Sequence, residues 1–300
     1  MNIEQYERIR TGRGFVAALD QSGGSTPKAL RLYGLDESQY TNDAEMFALI
    51  HKMRTRIMTS PVFNSSRILA AILFEMTMER KVEGLPSAEY LWHRKGIVPF
   101  LKIDNGLLPE FYGVELMKPI PELTARLDKA NSYGIFGTKE RSVIKESNAT
   151  GISACVDQQF EIAEQVLETD LVPIIEPEVD INACEKDWIE HILKRNLIEA
   201  LNSLDESQNV MLKLTLPTHP NFYRELIAHP RVLRVVALSG GYSRAQAGEL
   251  LFKNEGLIAS FSRALTEGLS EQQSEQEFDD MLDRSIQEIY EASSKIPVHH

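Results

Sequence analysis

The stretch that decides the fold is VMLKLTLP at residues 210–217, an apolar run that ends in a proline. It predicts a buried β-strand, in which alternate side chains face opposite sides. Lys213 then shares one face with Met211 and Thr215, while the three leucines share the other. A buried lysine is costly unless it is paired or neutral. It is therefore either an ion-paired lysine or one that extends from the strand end, or it is a neutral amine that can attack a carbonyl.

Similar apolar, β-rich runs recur along the whole chain, and segments with helical spacing of apolar residues lie between them. Strands that alternate with helices predict a parallel sheet with right-handed crossovers, and eight such units suit an α/β fold of the (β/α)8 TIM barrel type. A doubly wound sheet is the alternative, but no Gly-x-Gly-x-x-Gly follows the first strand. The predicted strands are residues 14–20, 67–74, 98–104, 135–143, 171–179, 210–216, 232–239 and 257–263.

The predicted helices are residues 43–53, 156–167, 188–204 and 244–252. No linker rich in Pro, Gly and Ser divides the chain, and its 43% hydrophobic content is enough for one large core. We expect a single barrel domain over residues 1–300, with a helical tail at about 272–295.

The composition restricts the partners and the compartment. A net charge of -12 argues against nucleic acid or an anionic membrane as the main partner. No apolar run reaches the roughly 18–20 residues of a membrane span, and the first residues do not resemble a signal peptide. Cys155 and Cys184 lie in helical-looking segments without metal-type spacing, which is typical of reduced thiols in a cytoplasmic protein. The sequence leaves open whether the chain forms a homo-oligomer.

Charged residues fall late in six of the predicted strands. In a barrel of this type the active site lies at the carboxyl ends of the strands, whereas the interior is apolar. A single charge there has a plain explanation, such as a side chain emerging at a strand end or an ion pair. The repetition over six strands indicates one shared site. Its members are Asp20, Lys102, Lys139, Arg141, Glu176, Glu178, Lys213 and Arg263.

The cations of this set outnumber its carboxylates, although the chain is acidic. A local positive field of this kind favours a small anionic substrate. Residues 239–243 (SGGYS) lead into a helical segment, and residues 22–25 (SGGS) are followed by Lys28. Backbone amides in such turns bind phosphate, and the loops after the last two strands are the usual phosphate site of this barrel. One glycine pair is weak by itself, but two such turns indicate a substrate phosphorylated at both ends.

A lysine with nearby carboxylates indicates Schiff-base chemistry. Burial and the cations Lys139 and Arg141 would favour the neutral amine of Lys213. Glu176 or Glu178 would then move protons during dehydration and carbon–carbon cleavage. The histidines have no spacing typical of a zinc site. We therefore expect neither a metal nor a cofactor.

These motifs resemble the class I (Schiff-base) fructose-1,6-bisphosphate aldolases, particularly the short bacterial type, over about residues 14–270. The set is specific, whereas each motif alone would be weak. The markers are AALDQSGGS at 17–25, FLKID at 100–104, VPIIEPE at 172–178, MLK at 211–213, LSGG at 238–241 and SFSR at 260–263.

The resemblance implies a role for each residue that matches a family motif. Lys213 would form the Schiff base with dihydroxyacetone phosphate, Glu176 would be the proton-shuttling acid/base and Glu178 its neighbour in dehydration. Asp20 would orient the nucleophile, with Lys139 as a second active-site lysine. The expected substrate-binding residues are Ser239, Gly240 and Arg263 at the C1-phosphate, Ser22, Ser25 and Lys102 on the C6-phosphate side, and Lys28 as a basic residue that flanks the site. Arg141, Gly241 and Ser260 are expected to bind substrate as well.

This chain departs from the vertebrate-type pattern at three positions. Gln21 stands where those enzymes carry a glutamate, Ala29 where they carry a basic residue, and Ser262 where they carry a glycine. The activity that the resemblance implies is reversible cleavage of fructose 1,6-bisphosphate into dihydroxyacetone phosphate and glyceraldehyde 3-phosphate. The alternatives are another Schiff-base barrel such as a transaldolase, against which the two phosphate turns argue, and a non-catalytic sugar-phosphate-binding barrel.

Overall fold

The computed structural model describes residues 2–295, and within them eight parallel strands close into a barrel. Each strand pairs with its neighbours in the chain, and the first strand pairs with the eighth. The predicted (β/α)8 barrel is confirmed. The strands are β1 Phe15–Leu19, β2 Ile68–Phe74, β3 Val98–Lys102, β4 Gly137–Ile144, β5 Val172–Val179, β6 Val210–Thr215, β7 Val232–Leu238 and β8 Ile258–Phe261.

Helices surround the barrel, and those between the first and last strands lie in the connections from strand to strand. They are α1 Ile3–Thr11, α2 Thr26–Leu32, α3 Asp43–Thr59, α4 Glu75–Met78, α5 Ser87–Glu89, α6 Leu123–Ser132, α7 Ala149–Leu167, α8 Lys186–Ser203, α9 Arg224–Ile227, α10 Arg244–Phe252, α11 Arg263–Thr266 and α12 Glu275–Ser294. A π-helical turn at Tyr90–Arg94 follows α5, and short strands occur at Lys81–Val82, Leu85–Pro86 and Val114–Glu115.

The half of the barrel interior at the amino-terminal ends of the strands, called the apolar half below, is filled with apolar side chains. Side chains from the first residues of the strands, such as Val16, Phe100, Ile174 and Met211, form one buried cluster. Ile9 of α1 packs against the same cluster, so this helix covers the amino-terminal end of the barrel. Because a strand alternates its faces, the next inward positions along each strand lie closer to the carboxyl-terminal end.

A second apolar cluster lies between the strands and the surrounding helices. The last helix, α12, contributes Phe278, Leu282 and Ile286 to it, at the spacing of one helix face. Ser274 begins this helix with a capping box that involves Glu277. The tail expected at about 272–295 is thus a helix packed on the outside of the barrel.

The observed strands end one or more residues earlier than expected in several places, for example at Leu19 and Lys102. The polar residues that follow belong to the loops. Cys155 lies in α7, but Cys184 lies in a turn before α8, so the expectation of helix there is wrong. Met1 and residues 296–300 lie outside the described part, and the single-domain prediction for 1–300 stays a prediction. Between residues 2 and 295 no helix is long and apolar enough to cross a membrane.

Candidate active site

A cavity of about 610 Å³ opens at the carboxyl-terminal ends of the strands. All the residues predicted for the site line this cavity except Gly241. Gly241 lies beside it, since a Cβ atom built there would be 3.7 Å from the Arg263 guanidinium. Residues from seven barrel strands or the loops that follow them therefore converge on one space, as the position of the charges in the sequence predicts.

Lys213 projects into the barrel from the middle of β6. Met211, two residues earlier on the same face, belongs to the inner apolar cluster, whereas Leu212 and Leu214 face the helices. The lysine is 4% exposed. Its Nζ lies 3.0 Å from Glu176 Oε1 on the adjacent strand β5. The plain interpretation, a lysine paired with a carboxylate, therefore describes its geometry, and its position in the cavity is the one that a nucleophile would need.

Glu176 lies between two lysines. Its Oε2 atom is 3.0 Å from Lys139 Nζ, and that nitrogen is 2.7 Å from Asp20 Oδ2. The Oε2 atom has no hydrogen-bond partner of good geometry within residues 2–295, so its contact with Lys139 is mainly electrostatic. The sequence predicts that burial, Lys139 and Arg141 favour the neutral amine of Lys213. In the structure the Glu176 carboxylate contacts the ammonium groups of both Lys139 and Lys213.

The charges of this cluster fix its ionisation. Burial alone would raise the pKa of Asp20, but Lys139, Lys213 and Lys102 outweigh burial and hold this pKa well below its usual range. Burial would lower the pKa of Lys139, but Asp20 and Glu176 outweigh burial and raise it well above its usual range. Asp20 therefore stays an anion and Lys139 stays a cation at neutral pH.

Two further ion pairs line the wall of the cavity. Arg141 Nε donates to Glu178 Oε2 at 2.5 Å, so the second glutamate is held by an arginine rather than by a lysine. Burial lowers the pKa of Lys102, whose Nζ donates to Asp104 Oδ1 at 2.6 Å. The other oxygen of Asp104 is buried and has no hydrogen-bond partner among residues 2–295.

The turn after β1 is a short 3-10 segment, Gly23–Ser25, followed by α2. Ser25 Oγ accepts from the backbone amide of Ser22 at 3.0 Å and donates to the backbone oxygen of Ser22 at 2.9 Å. The two serines are thus joined to each other, and Lys28 lies one turn further along the cavity wall.

The turn after β7 requires glycine. Gly240 has φ +61, and a Cβ atom there would lie 2.7 Å from Ile181 Cγ2. Ser239 and Gly240 line the cavity, and Ser243 then begins α10 with its own capping box. Arg263, the first residue of α11, lines the cavity near this turn.

One buried residue outside the predicted set holds Glu176 in place. Gln159 of α7 is fully buried, and its Oε1 accepts from the backbone amide of Glu176 at 3.1 Å. Its Nε2 donates to Ser142 Oγ at 3.0 Å, so one side chain joins α7, β4 and β5. The position of Gln159 in a helix gives no signal in the sequence that its side chain contacts Glu176.

The prediction also left out cavity residues that adjoin predicted ones. Asp104 lies in the loop after β3, two residues beyond Lys102, and this spacing is visible in the sequence. Gln21 and Ser262 also line the cavity and are joined by a 2.6 Å hydrogen bond from Gln21 Nε2 to Ser262 Oγ. That bond joins residues 241 positions apart in sequence.

A second cavity of about 530 Å³ lies at the opposite end of the barrel, near the start of β4 and β5. Leu171 and Phe136 line it, and it contains none of the predicted site residues. Within residues 2–295 there is no group of three or more His, Cys, Asp and Glu side chains placed to hold a metal ion.

The fold and the site together define a class of protein: a (β/α)8 barrel in which a buried strand lysine faces carboxylates, the arrangement used for Schiff-base chemistry. Comparison with known proteins gives the family. The family model for class-I fructose-bisphosphate aldolase matches residues 4–223. The chain therefore belongs to the class-I fructose-bisphosphate aldolase family, whose members are lyases that act on sugar phosphates.

Two relatives cover almost the whole chain. Fructose-bisphosphate aldolase class 1 of Synechocystis sp. is 60% identical over 292 residues, which is 97% of each chain. The enzyme of the same name from Porphyromonas gingivalis is 57% identical over 295 residues, 98% of this chain and all of the relative. A solved structure of Plasmodium falciparum fructose-bisphosphate aldolase shares the fold, with a TM-score of 0.78, 21% identity and coverage of 97% of this chain and 93% of the other.

Proposed function

We propose that this chain catalyses the reversible aldol cleavage of fructose 1,6-bisphosphate to dihydroxyacetone phosphate and glyceraldehyde 3-phosphate through a Schiff base on Lys213. The observation that carries the proposal is the position of the Lys213 ammonium, buried inside the barrel and 3.0 Å from Glu176 Oε1. The names of the two bacterial relatives support the same substrate.

The first step needs a neutral amine, and Glu176 is the nearest carboxylate that can take the proton of Lys213. The amine then attacks the C2 carbonyl of the open-chain ketose and forms a carbinolamine. Glu176 returns the proton to the C2 hydroxyl, and water leaves to give the iminium. Glu178, held by Arg141, lies on the same strand face and assists this dehydration.

Carbon–carbon cleavage follows from the electron demand of the iminium. A carboxylate of the Asp20–Lys139–Glu176 cluster removes the proton of the C4 hydroxyl, the C3–C4 bond breaks, and its electron pair forms an enamine on the Lys213 nitrogen. The aldehyde product leaves, the enamine is protonated at C3, and water releases the ketose phosphate. Lys139 stays protonated between Asp20 and Glu176 and orients both carboxylates.

The two phosphate ends have separate binding groups. Ser239, Gly240 and Arg263, with Gly241 and Ser260 beside them, bind the C1-phosphate in this proposal. Ser22, Ser25, Lys102 and Lys28 bind the C6-phosphate, and Arg141 lies between the ends. All of these groups except Gly241 line one cavity, on elements from both sides of β1, which supports a doubly phosphorylated substrate.

The partners are small sugar phosphates rather than nucleic acid, since the net charge of -12 repels polyanions outside the local positive field of the cavity. We place the chain in the cytoplasm, because both cysteines are free thiols. Size-exclusion chromatography with light scattering measures whether the chain forms a homo-oligomer.

Reductive trapping tests the proposal. Borohydride added together with dihydroxyacetone phosphate should convert the iminium into a stable secondary amine, and mass spectrometry of the digested protein should locate the adduct on Lys213. Borohydride without substrate is the control, and Lys139 serves as an internal comparison because it lies in the same cavity. An adduct on Lys139 instead, or full loss of turnover with EDTA, would contradict the proposed mechanism. Fructose 6-phosphate as substrate separates this activity from that of a transaldolase.

A further inference from the structure

One arginine buried behind the candidate site takes no part in the chemistry described above. Arg54 lies on α3 and is 1% exposed, among the largest fully buried side chains of the described residues. Between residues 2 and 295 no carboxylate forms an ion pair with its guanidinium. A buried cation without a paired anion opposes folding. The position therefore calls for an explanation.

The guanidinium instead bonds to neutral groups on two other segments. Its Nη1 donates to Thr77 Oγ1 of α4 at 2.6 Å. Its Nη2 donates to the backbone oxygen of Gln21 and lies 3.3 Å from Gln21 Oε1. Arg54 thereby joins α3 and α4 to the residue between Asp20 and Ser22, at the start of the loop after β1.

Gln21 extends this connection to the loop after the neighbouring strand β8. Its Oε1 accepts from Arg54, which leaves the Nε2 group to donate, and Nε2 donates to Ser262 Oγ at 2.6 Å. Ser262 directly precedes Arg263 in the loop after β8. Because a guanidinium can only donate, the carboxamide oxygen of Gln21 must face Arg54. The Nε2 group of Gln21 therefore faces Ser262 and donates to it.

We propose that Arg54 is a positioning residue for the groups that bind substrate phosphate. Arg54 acts through Gln21 on the Ser22–Ser25 turn and, through the bond from Gln21 to Ser262, on the loop of Arg263. This inference rests on the proposed function. The planar fork of an arginine can bond to acceptors on separate segments at once, whereas the single ammonium of a lysine cannot hold the same arrangement.

The neutral character of Gln21 is part of this arrangement. A glutamate at this position could pair directly with Arg54, whereas the glutamine leaves the guanidinium hydrogen-bonded only to neutral groups, with the Asp20 carboxylate as a nearby anion. Burial lowers the pKa of Arg54 to about 10 while Asp20 raises it, so the group stays a cation at neutral pH. A cation whose hydrogen-bond partners are all neutral adds to the positive potential that a phosphorylated substrate meets.

The test compares Arg54→Lys with a substrate pair: the ketose 1,6-bisphosphate and the same ketose phosphorylated only at C1. For Arg54→Lys we expect kcat/KM to fall about tenfold or more with the bisphosphate, mainly through KM, which corresponds to about 1.4 kcal/mol. With the C1-monophosphate the loss should stay below about threefold, because Gln21 leads directly into the Ser22–Ser25 turn. A loss of equal factor on both substrates would overturn the proposal, and so would a lowered melting temperature with unchanged kinetics.

Gln21→Ala provides a second variant that keeps Arg54 in place. It removes the bond to Ser262, so we expect KM to rise for both substrates. Unchanged values for both would refute the step from Gln21 to the Arg263 loop. The control is Arg56→Lys on the same helix, because Arg56 reaches Tyr33, Ser270 and Gln273 rather than the cavity. Absence of bisphosphate cleavage by the unaltered chain would refute the proposed function itself, whereas normal cleavage with unaffected Arg54→Lys kinetics would refute this inference alone.

Discussion

The two ends of the same barrel differ in chemistry. At the amino-terminal end the inward side chains are apolar, with Val16, Phe100 and Met211 packed under α1. At the carboxyl-terminal end the inward side chains of the same strands are charged and make the ion pairs around Glu176. Met211 and Lys213 are only two residues apart on one face of β6, yet one belongs to each half.

This difference indicates a division of labour along each strand. The apolar half supplies the free energy of burial that holds the barrel closed, and the charged half uses part of it, because buried ions oppose folding unless they are well paired. Substitutions in the apolar half should therefore act mainly on stability, whereas those in the charged half should act mainly on activity. The experiments below test this separation, from the largest expected effect to the smallest.

Removal of the central amine should have the largest effect. Lys213→Ala should lower kcat by about 10⁴-fold or more, because no other group replaces a covalent nucleophile. The fold should remain, since Glu176 keeps Lys139 as a partner. Steady-state assay and circular dichroism measure the two effects. Lys253→Ala, at an exposed position on the helical outside of the barrel, is the matched control. A variant with ordinary turnover would show that Lys213 is not the nucleophile.

A substitution in the apolar half should act on stability instead. Phe100 is fully buried, and its ring packs edge-to-face on Phe136 with the centroids 5.4 Å apart. Phe100→Ala should lower the free energy of unfolding by about 3–5 kcal/mol. Urea denaturation measures this change, and KM at low temperature should stay close to that of the unaltered chain. Phe252→Ala, at an exposed site, should leave stability nearly unchanged. A large change in KM for Phe100→Ala would contradict the separation of the two halves.

The bridging carboxylate should affect rate more than binding. Glu176→Gln keeps the size of the side chain but cannot take a proton, so kcat should fall by about 10²–10³-fold. The borohydride adduct on Lys213 should form correspondingly more slowly. Glu178→Gln is the matched comparison, because this carboxylate pairs with Arg141 and does not contact Lys213. Equal losses of kcat for Glu176→Gln and Glu178→Gln would contradict the separate role of Glu176 as the carboxylate that takes the proton of Lys213.

The ionisation of Asp20 predicts a smaller, pH-dependent effect on stability. Its pKa in the folded chain lies well below the unfolded value of about 3.9, so its contribution is present above pH 4 and is lost as the pH falls below it. The difference in unfolding free energy between the unaltered chain and Asp20→Asn should therefore be constant from about pH 5 to 7 and should narrow below pH 4. Chemical denaturation across this range measures it.

Asp36→Asn is the control for this experiment. Hydrogen bonds from Ser38 lower the pKa of Asp36 as well, but that carboxylate is fully exposed. The pH-dependent part of the difference in unfolding free energy should consequently be smaller for Asp36→Asn than for Asp20→Asn. A difference for Asp20→Asn that does not change between pH 7 and 3.5 would contradict the depressed pKa.

The sequence by itself determined the barrel and the side of each strand on which the charged residues lie. Because the side chains of a strand alternate between its two faces, Lys213 shares a face with Met211, and Glu176 shares one with Glu178. The recurrence of charged residues late in the strands predicts a common site. These features are local, because they depend on strand geometry and on the order of residues along one strand.

Only the tertiary structure decided which charges meet. Closure of the barrel and its register place Glu176 between Lys139 and Lys213, and give Glu178 to Arg141 instead. It also brings Arg54, 33 residues from Gln21 along the chain, behind the first loop. No local pattern contains such contacts, since they depend on where separate elements pack and on how far each side chain reaches across the space between them.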